Sequence, residues 1–388
     1  MEVLGYQQAT TVNPIKLMTP KRYFVLGLAA VSLSGTVFAG FTPGNLAVLR
    51  VGDGSQTLAN TGNTVFIDEY SPMGTLVSSV QIPDSGPNAL VLNGTATAEG
   101  FLARSANGQY LTFAGYNTPR PYSSSVSSST SAAVPRAVGM IDSLGNVSIP
   151  VSSSTAYSGI SWRGAVTDGA GNYWGIGSGS GSAAGGPYYM GLDASPAMLQ
   201  NTLVTLRGAN IFNGNLYFSH SGSASTGPGL YYYSGLPTDP GPATLLFATG
   251  SGATTTDFAL SPSGNVAYVA DDRTISNGGG IQKWVFDGTT WSLSYTLGTG
   301  SGSTVGARGL AVDFGPADPI IYATTAESAA TRLISVVDTG ANSIANTLAT
   351  AGTNMRFRGL DFVPVIPEPS SLALLALAAA GLCLRRRR

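Results

Sequence analysis

The chain has 388 residues, with 51 Gly, 22 Pro and only 10% charged residues, against roughly 25% in an ordinary soluble domain. That composition excludes long charged helices and favours many short turned strands, while 43% apolar residues with 17 Tyr, 14 Phe and 4 Trp exclude a disordered chain. One His and one Cys exclude an internal disulfide and a Cys/His zinc site, so any Ser-His-Asp hydrolase chemistry would have to run through His220. The net charge of −1 is itself a cancellation, because residues 40–366 hold 12 Lys and Arg against 18 Asp and Glu. An acidic body of this kind lacks the basic footprint of a nucleic-acid binder.

At the N-terminal end, Lys21 and Arg22 precede an apolar run from Tyr23 to Leu33, followed by Val37-Phe38-Ala39. This layout predicts a secretory signal peptide over residues 1–39, cut after Ala39. The residues before Met18 share none of the pattern, and a true start at Met18 accounts for them.

From residue 40 to 364 the chain reads as an all-β repeat. Three strand-like segments, NLAVLRVGD, NTVFIDEYSP and TLVSSVQIP, come first and lack a partner strand of their own. Then TAEGFLARSANGQYLTFAGY, ISWRGAVTDGAGNYWGIGS, VTLRGANIFNGNLYFSHS, TTTDFALSPSGNVAYVADD and VGARGLAVDFGPADPIIYATT repeat one plan, and NMRFRGLDFVP supplies a last half-copy. In each, a polar residue is followed by small and apolar residues, a turn, and an apolar strand. Anchored on the residue before the small one, the copies begin at Glu99, Arg163, Arg207, Asp257, Arg308 and Arg358, at spacings of 64, 44, 50, 51 and 50. Strand-turn-strand units at this period predict a β-propeller. Six anchors predict six blades, with the half-copy from Met355 to Pro364 pairing the three N-terminal strands to close the ring. Seven blades is the alternative, if the interval of 64 hides an extra unit. The clearest copy places strands at Phe258–Ser261, Asn265–Ala270, Ile281–Phe286 and Trp291–Leu297. The Ser-rich stretch between Tyr116 and Pro135, and the Gly/Ser stretch over Ser178 to Gly186, read as flexible low-complexity loops.

Inner strands of a propeller begin on the face where second strands end, here called the top. The six anchors therefore predict a ring at the mouth of the central channel: Glu99, Arg163, Arg207, Asp257, Arg308 and Arg358. Four guanidiniums there suit a carboxylate, sulfate or phosphate, or pair internally with the two acids. His220, Asp53, Asp271 and Asp272 fall on the same face, where a His beside acids would suit a general base. Asp168 to Asn172 has a passing likeness to a calcium loop but lacks its terminal bidentate Glu, and a hairpin turn explains it. The glycines of GIGSGSGSAAGG are followed by no helix, so they form no phosphate loop. Trp162, Trp174, Trp284, Trp291 and Tyr231-Tyr232-Tyr233 lie in or beside strands, where blade packing claims most of them. No catalytic residue, metal site or cofactor is indicated.

At the C-terminal end, Pro367-Glu368-Pro369 precedes an apolar run of 13 residues, Leu372 to Leu384, and four Arg. As a helix the run is about 20 Å long, short of the roughly 30 Å hydrocarbon core. The order and spacing over 365–388 resemble the PEP-CTERM sorting signal of Gram-negative bacteria. The resemblance implies an exosortase as processing partner, transient anchoring in the inner membrane through this segment alone, and delivery to the cell surface or extracellular matrix. An exported binding or structural module follows, with extracellular polysaccharide or a surface protein as partner. The alternative is a lactonase-like or ester hydrolase with its site on the top face, since propellers host both. N-terminal sequencing of the mature protein is expected to begin at Gly40, and a mature chain starting at Met1 or Met18 would contradict the signal assignment.

Overall fold

A computed structural model describes residues 40–179, 185–191, 196–222 and 226–366. Its strands form six four-stranded antiparallel sheets. The first sheet contains β1 (Leu46–Val51), β2 (Val65–Tyr70) and β3 (Leu76–Gln81). The second contains β4 (Leu102–Arg104), β5 (Tyr110–Tyr116), β6 (Arg136–Asp142) and β7 (Val147–Ser153). The third contains β8 (Trp162–Thr167), β9 (Tyr173–Gly177) and the short β10 (Tyr188–Tyr189) and β11 (Ala197–Met198). The fourth contains β12 (Leu206–Phe212), β13 (Asn215–His220), β14 (Gly229–Tyr233) and β15 (Thr244–Ala248). The fifth contains β16 (Thr255–Leu260), β17 (Val266–Asp271), β18 (Gly280–Phe286) and β19 (Trp291–Leu297). The sixth contains β20 (Ala307–Asp313), β21 (Ile320–Thr325), β22 (Arg332–Val337) and β23 (Asn346–Thr350). The last strand, β24 (Arg356–Phe362), returns to the first sheet, whose order is β24-β1-β2-β3.

The molecule is therefore a six-bladed β-propeller closed by its two ends in one blade. The alternative of seven blades is excluded: the long interval after Glu99 contains only β4 to β7 and the loop between β5 and β6. The strands expected in the fifth blade lie within a few residues of those observed.

Each blade grades from buried to exposed. β5 reads YLTFAGY and is buried along nearly its whole length, because neighbouring blades cover both its faces. The outer strand β3, LVSSVQ, is mostly exposed and carries Ser at its centre.

The inner strands are governed by crowding at the axis. A Cβ built on Gly359 would lie 2.3 Å from the Leu102 backbone nitrogen, and one on Gly309 would lie 2.8 Å from the Arg358 carbonyl oxygen. Only glycine fits such approaches. The pairing register breaks at the same level, so that Arg207-Gly208, Thr256-Asp257, Arg308-Gly309 and Arg358-Gly359 bulge from their ladders. Side-chain hydroxyls then bind the bulges to the next blade. Ser219 Oγ accepts from the Gly208 N–H (2.9 Å) and donates to the Thr256 carbonyl (2.5 Å). Thr324 repeats the arrangement, accepting from the Gly309 N–H (2.9 Å) and donating to the Arg358 carbonyl.

The loop between β5 and β6 corrects its sequence reading as flexible. Val126 and Val134 are fully buried, and Val126 and Tyr122 bind the Asn60 and Thr61 carbonyls of the first blade through their backbone N–H groups. Arg136, also fully buried, donates to the carbonyls of Val134, Ser127, Ser129 and Ile160. The loop is a packed cover over the first two blades, ordered by one guanidinium that its composition does not advertise. Most of the Gly/Ser stretch, at 180–184, lies outside the described residues, as do the signal segment (1–39) and residues 367–388 of the sorting segment.

Replacing Gly359 by Ala is expected to destabilise the protein by about 1–3 kcal/mol, the usual range for overpacking, read as a lowered denaturation midpoint. An unchanged midpoint would contradict the close approach at the axis.

Candidate functional site

The bulges aim the anchor side chains at the top of the channel. Arg163, Arg207, Arg308 and Arg358 occupy equivalent positions on four inner strands, with Glu99 just before β4. The fifth blade departs from the sequence reading. Its register places Thr256, not Asp257, at the anchor position, and Asp257 takes the place that glycine holds elsewhere. The signal for this was present, since Phe258-Ala259-Leu260 aligns with Leu310-Ala311-Val312 and puts Asp257 opposite Gly309.

Asp272, from the turn after β17, supplies the charge that Thr256 lacks. Its carboxylate accepts from Arg207 Nη1 (3.3 Å) and Arg308 Nε (3.3 Å), the arginines of the two flanking blades. Arg163 Nη1 donates to the Leu206 carbonyl (3.1 Å), and Arg358 Nη2 donates to the Gly94 carbonyl (3.2 Å). Glu99 Oε1 accepts from the Tyr116 hydroxyl (2.9 Å). Among the described residues, Glu99 makes no ion pair within 4.0 Å.

The mouth is therefore unbalanced. Four guanidiniums face two carboxylates, and burial leaves several of their N–H groups unpaired. Arg163 Nε, Arg207 Nε, Arg308 Nη1, and Arg358 Nε and Nη1 are all buried without a hydrogen-bond partner. Burial and then the charge of Arg356 and Arg308 lower Arg358 to about 9. Burial and then Arg207 lower Arg163 to about 10. Burial raises Glu99, against the opposing influence of the Tyr116 hydrogen bond, the Arg358 charge and a hydrogen bond from Ser161. The charge of a neighbouring arginine contributes to the lowering at Arg163, Arg207 and Arg358, so like charges are crowded together at the mouth.

The lower half of the channel has the opposite character. Asp257 is buried, and its carboxylate accepts from the backbone N–H groups of Phe258 (3.0 Å) and Leu310 (3.0 Å). Asp361 accepts from those of Arg104 (2.7 Å) and Phe362 (2.7 Å). It borders a cavity of about 160 Å³ walled by Phe212, Phe258, Leu310, Phe314 and Phe362. Burial pushes Asp257 well up and raises Asp361 to about 6.

The other predicted residues do not converge. His220 is fully buried, packs edge-on against Tyr231, and its Nδ1 lies 3.1 Å from the Gly227 carbonyl. Its Nε2 has no partner, and burial pushes its pKa down. Asp271 pairs with Arg273 (2.7 Å) and Asp53 with Arg120 (3.2 Å), so neither orients His220. Asp168 closes a hairpin turn by accepting from the N–H groups of Ala170 and Asn172. Trp162, Trp174 and Trp284 are buried in the blades, while Trp291 is partly exposed and packs on Phe247.

Residues 365–388 match the PEP-CTERM protein-sorting motif, including Pro367, Glu368 and Pro369. The chain is an all-β propeller carrying a PEP-CTERM signal, which implies processing by exosortase, export and surface sorting in Gram-negative bacteria. No curated protein matches the chain. Similar solved structures include TolB from Acinetobacter baumannii, at 11% identity and a TM-score of 0.49, covering 85% of this chain and 68% of that one. The periplasmic gluconolactonase PpgL of Pseudomonas aeruginosa is 13% identical with a TM-score of 0.44, covering 79% of this chain and 83% of that one. The GH74 enzyme of Niastella koreensis is 11% identical with a TM-score of 0.47, covering 80% of this chain and 46% of that one. At such scores these likenesses carry no information on ligand or chemistry. Among the described residues, no helix is long and apolar enough to cross a membrane.

A carboxyl raised by folding favours the protonated state, so its contribution is most favourable below the ordinary carboxyl pKa and is lost as pH rises through its folded value. For Asp361 that window runs from about 3.8 to about 6. Stability is expected to fall by on the order of 1 kcal/mol between pH 5 and 7.5, with a shallower fall in Asp361→Asn. Denaturant midpoints measured across this range check it, and equal slopes in both proteins would contradict it.

Proposed function

We propose that the protein is an exported binding module at the cell surface or in the extracellular matrix, whose channel mouth receives an anionic group of its partner. The carrying observation is the excess of four guanidiniums over two carboxylates, with buried N–H groups left unpaired. An oxyanion supplies the missing acceptors and relieves the mutual repulsion, and guanidinium forks suit carboxylate, sulfate and phosphate alike.

The topology supports presentation of this mouth. Gly40 and Phe41 lie beside Ser143 in the bottom turn of the second blade, and the Val365 N–H binds the Gly108 carbonyl at the bottom of the same blade. Both ends of the described body thus leave from the face opposite the arginines. A chain held by either end offers the mouth outward.

The hydrolase alternative gains no support from the surroundings of His220. Its ring is enclosed by its own blade and hydrogen-bonds backbone groups, with no carboxylate to orient it and no nucleophile beside it among the described hydrogen bonds.

Isothermal titration of the mature protein with sulfate and with acetate tests the reading. Wild type is expected to bind one anion per chain, and Arg163→Gln with Arg308→Gln is expected to weaken binding by roughly tenfold or more, the worth of a charged hydrogen bond. Circular dichroism establishes that the variant is folded. Equal affinity in a folded variant, or no anion binding by wild type, would overturn the reading.

A further inference from the structure

We propose that the cavity at the bottom of the channel is a second binding site, which receives an alkylammonium ion between the Asp361 carboxylate and a wall of phenylalanine rings. The site lies at the opposite end of the channel from the arginines and does not depend on what they hold.

The cavity forms where the inner strands β12, β16, β20 and β24 end. Phe212, Phe258, Phe314 and Phe362, on or just after these strands, wall a space of about 160 Å³, and Asn210 and Asp361 are its polar members. A space of that size holds one benzene-sized group. Among the described residues, no Lys or Arg lines it.

The carboxylate is not used up by its surroundings. Each Asp361 oxygen accepts one backbone N–H, from Phe362 or Arg104 (both 2.7 Å). A carboxylate has roughly four lone-pair sites, so each oxygen keeps a further one, and Asp361 is only partly buried. The Arg104 side chain turns elsewhere, its Nε donating to the Gly108 carbonyl (3.3 Å). Among the described residues, neither Asp361 nor Asp257 makes an ion pair within 4.0 Å. Asp313 and the exposed Asp318, in the turn that carries Phe314, add negative charge at the same end of the molecule.

The two kinds of wall together select the ligand. A calcium ion takes about six to eight oxygen ligands, and rings occupy most of this wall. A neutral apolar ligand covers the rings and leaves the carboxylate without a counter-charge. An alkylammonium ion donates N–H to Asp361 while its carbons pack on the phenylalanines, and ring faces attract a cation directly. A free amine and the tip of a lysine side chain on a protein partner carry the same group.

NMR titration of the full mature protein with n-butylammonium and with n-butanol tests the proposal. The ammonium is expected to bind at least roughly tenfold tighter than the alcohol, the worth of a charged hydrogen bond. Asp361→Asn, shown to be folded by circular dichroism, is expected to lose that advantage. No butylammonium binding by wild type, butanol binding as tightly, or unchanged affinity in folded Asp361→Asn would overturn the proposal. Ala259→Leu, which fills part of the cavity and keeps the carboxylate, serves if Asp361→Asn does not fold. It is expected to weaken butylammonium by roughly tenfold, and unchanged affinity there would also overturn the site. Nα-acetyl-lysine methylamide separates the two sources of the group. Affinity equal to that of butylammonium assigns the site to a protein's lysine, and affinity lower by tenfold or more assigns it to free amines.

Discussion

The closeness of six inner strands at one axis is the constraint on which the rest of the molecule depends. Backbone atoms of adjacent blades approach so nearly that a single Cβ at Gly309 or Gly359 would overlap the next strand. The strands bulge at this level, and the bulge does two things at once. It turns a backbone N–H and carbonyl toward hydroxyls such as Ser219 and Thr324, which join one blade to the next. It also turns the preceding side chain up into the channel mouth. The arginine ring is thus a product of the same geometry that closes the propeller.

Electrostatics then divides the channel. The body between residues 40 and 366 is acidic, yet four of its 12 basic residues meet at one mouth. Asp272 and Glu99 offset part of that charge, while Asp257 and Asp361 sit lower and bind backbone N–H groups instead of guanidiniums. Moving Asp257 out of the ring, where the sequence placed it, raises the imbalance at the mouth. A ring of arginines fully neutralised by neighbours would serve closure alone. A ring short of acceptors has capacity for a ligand.

Much of the architecture was legible because propeller blades repeat at a nearly fixed length. The closing strand Met355 to Pro364 and the three unpartnered N-terminal segments could be matched by simple deficit, and β24 pairs β1 as that deficit requires. Arg-Gly marks the register break directly at Arg163, Arg207, Arg308 and Arg358. The mark is absent at the fifth blade, where Thr256-Asp257 replaces that pair and alignment on a charged residue slips by one. The sequence puts Asp272 on the top face, but only the three-dimensional spacing of Arg207 and Arg308 shows it bridging both. The ordered loop over residues 117–135 was hidden by its serines. Composition suggested a solvated segment, whereas Val126, Val134 and the buried Arg136 decide its packing.

The sorting signal and the topology bear on each other. Residues 365–388 match a motif for surface sorting, and the described chain leads into them from the face opposite the arginines. On the proposed function, the mouth holds an anion among Arg163, Arg207, Arg308 and Arg358. Anomalous diffraction from a bromide-soaked crystal tests it most directly. A bromide peak is expected on the channel axis within hydrogen-bonding reach of Arg308 and Arg358. Bromide confined to the outer surface, with those arginines turned onto Glu99 and Asp272 in closed ion pairs, would contradict it.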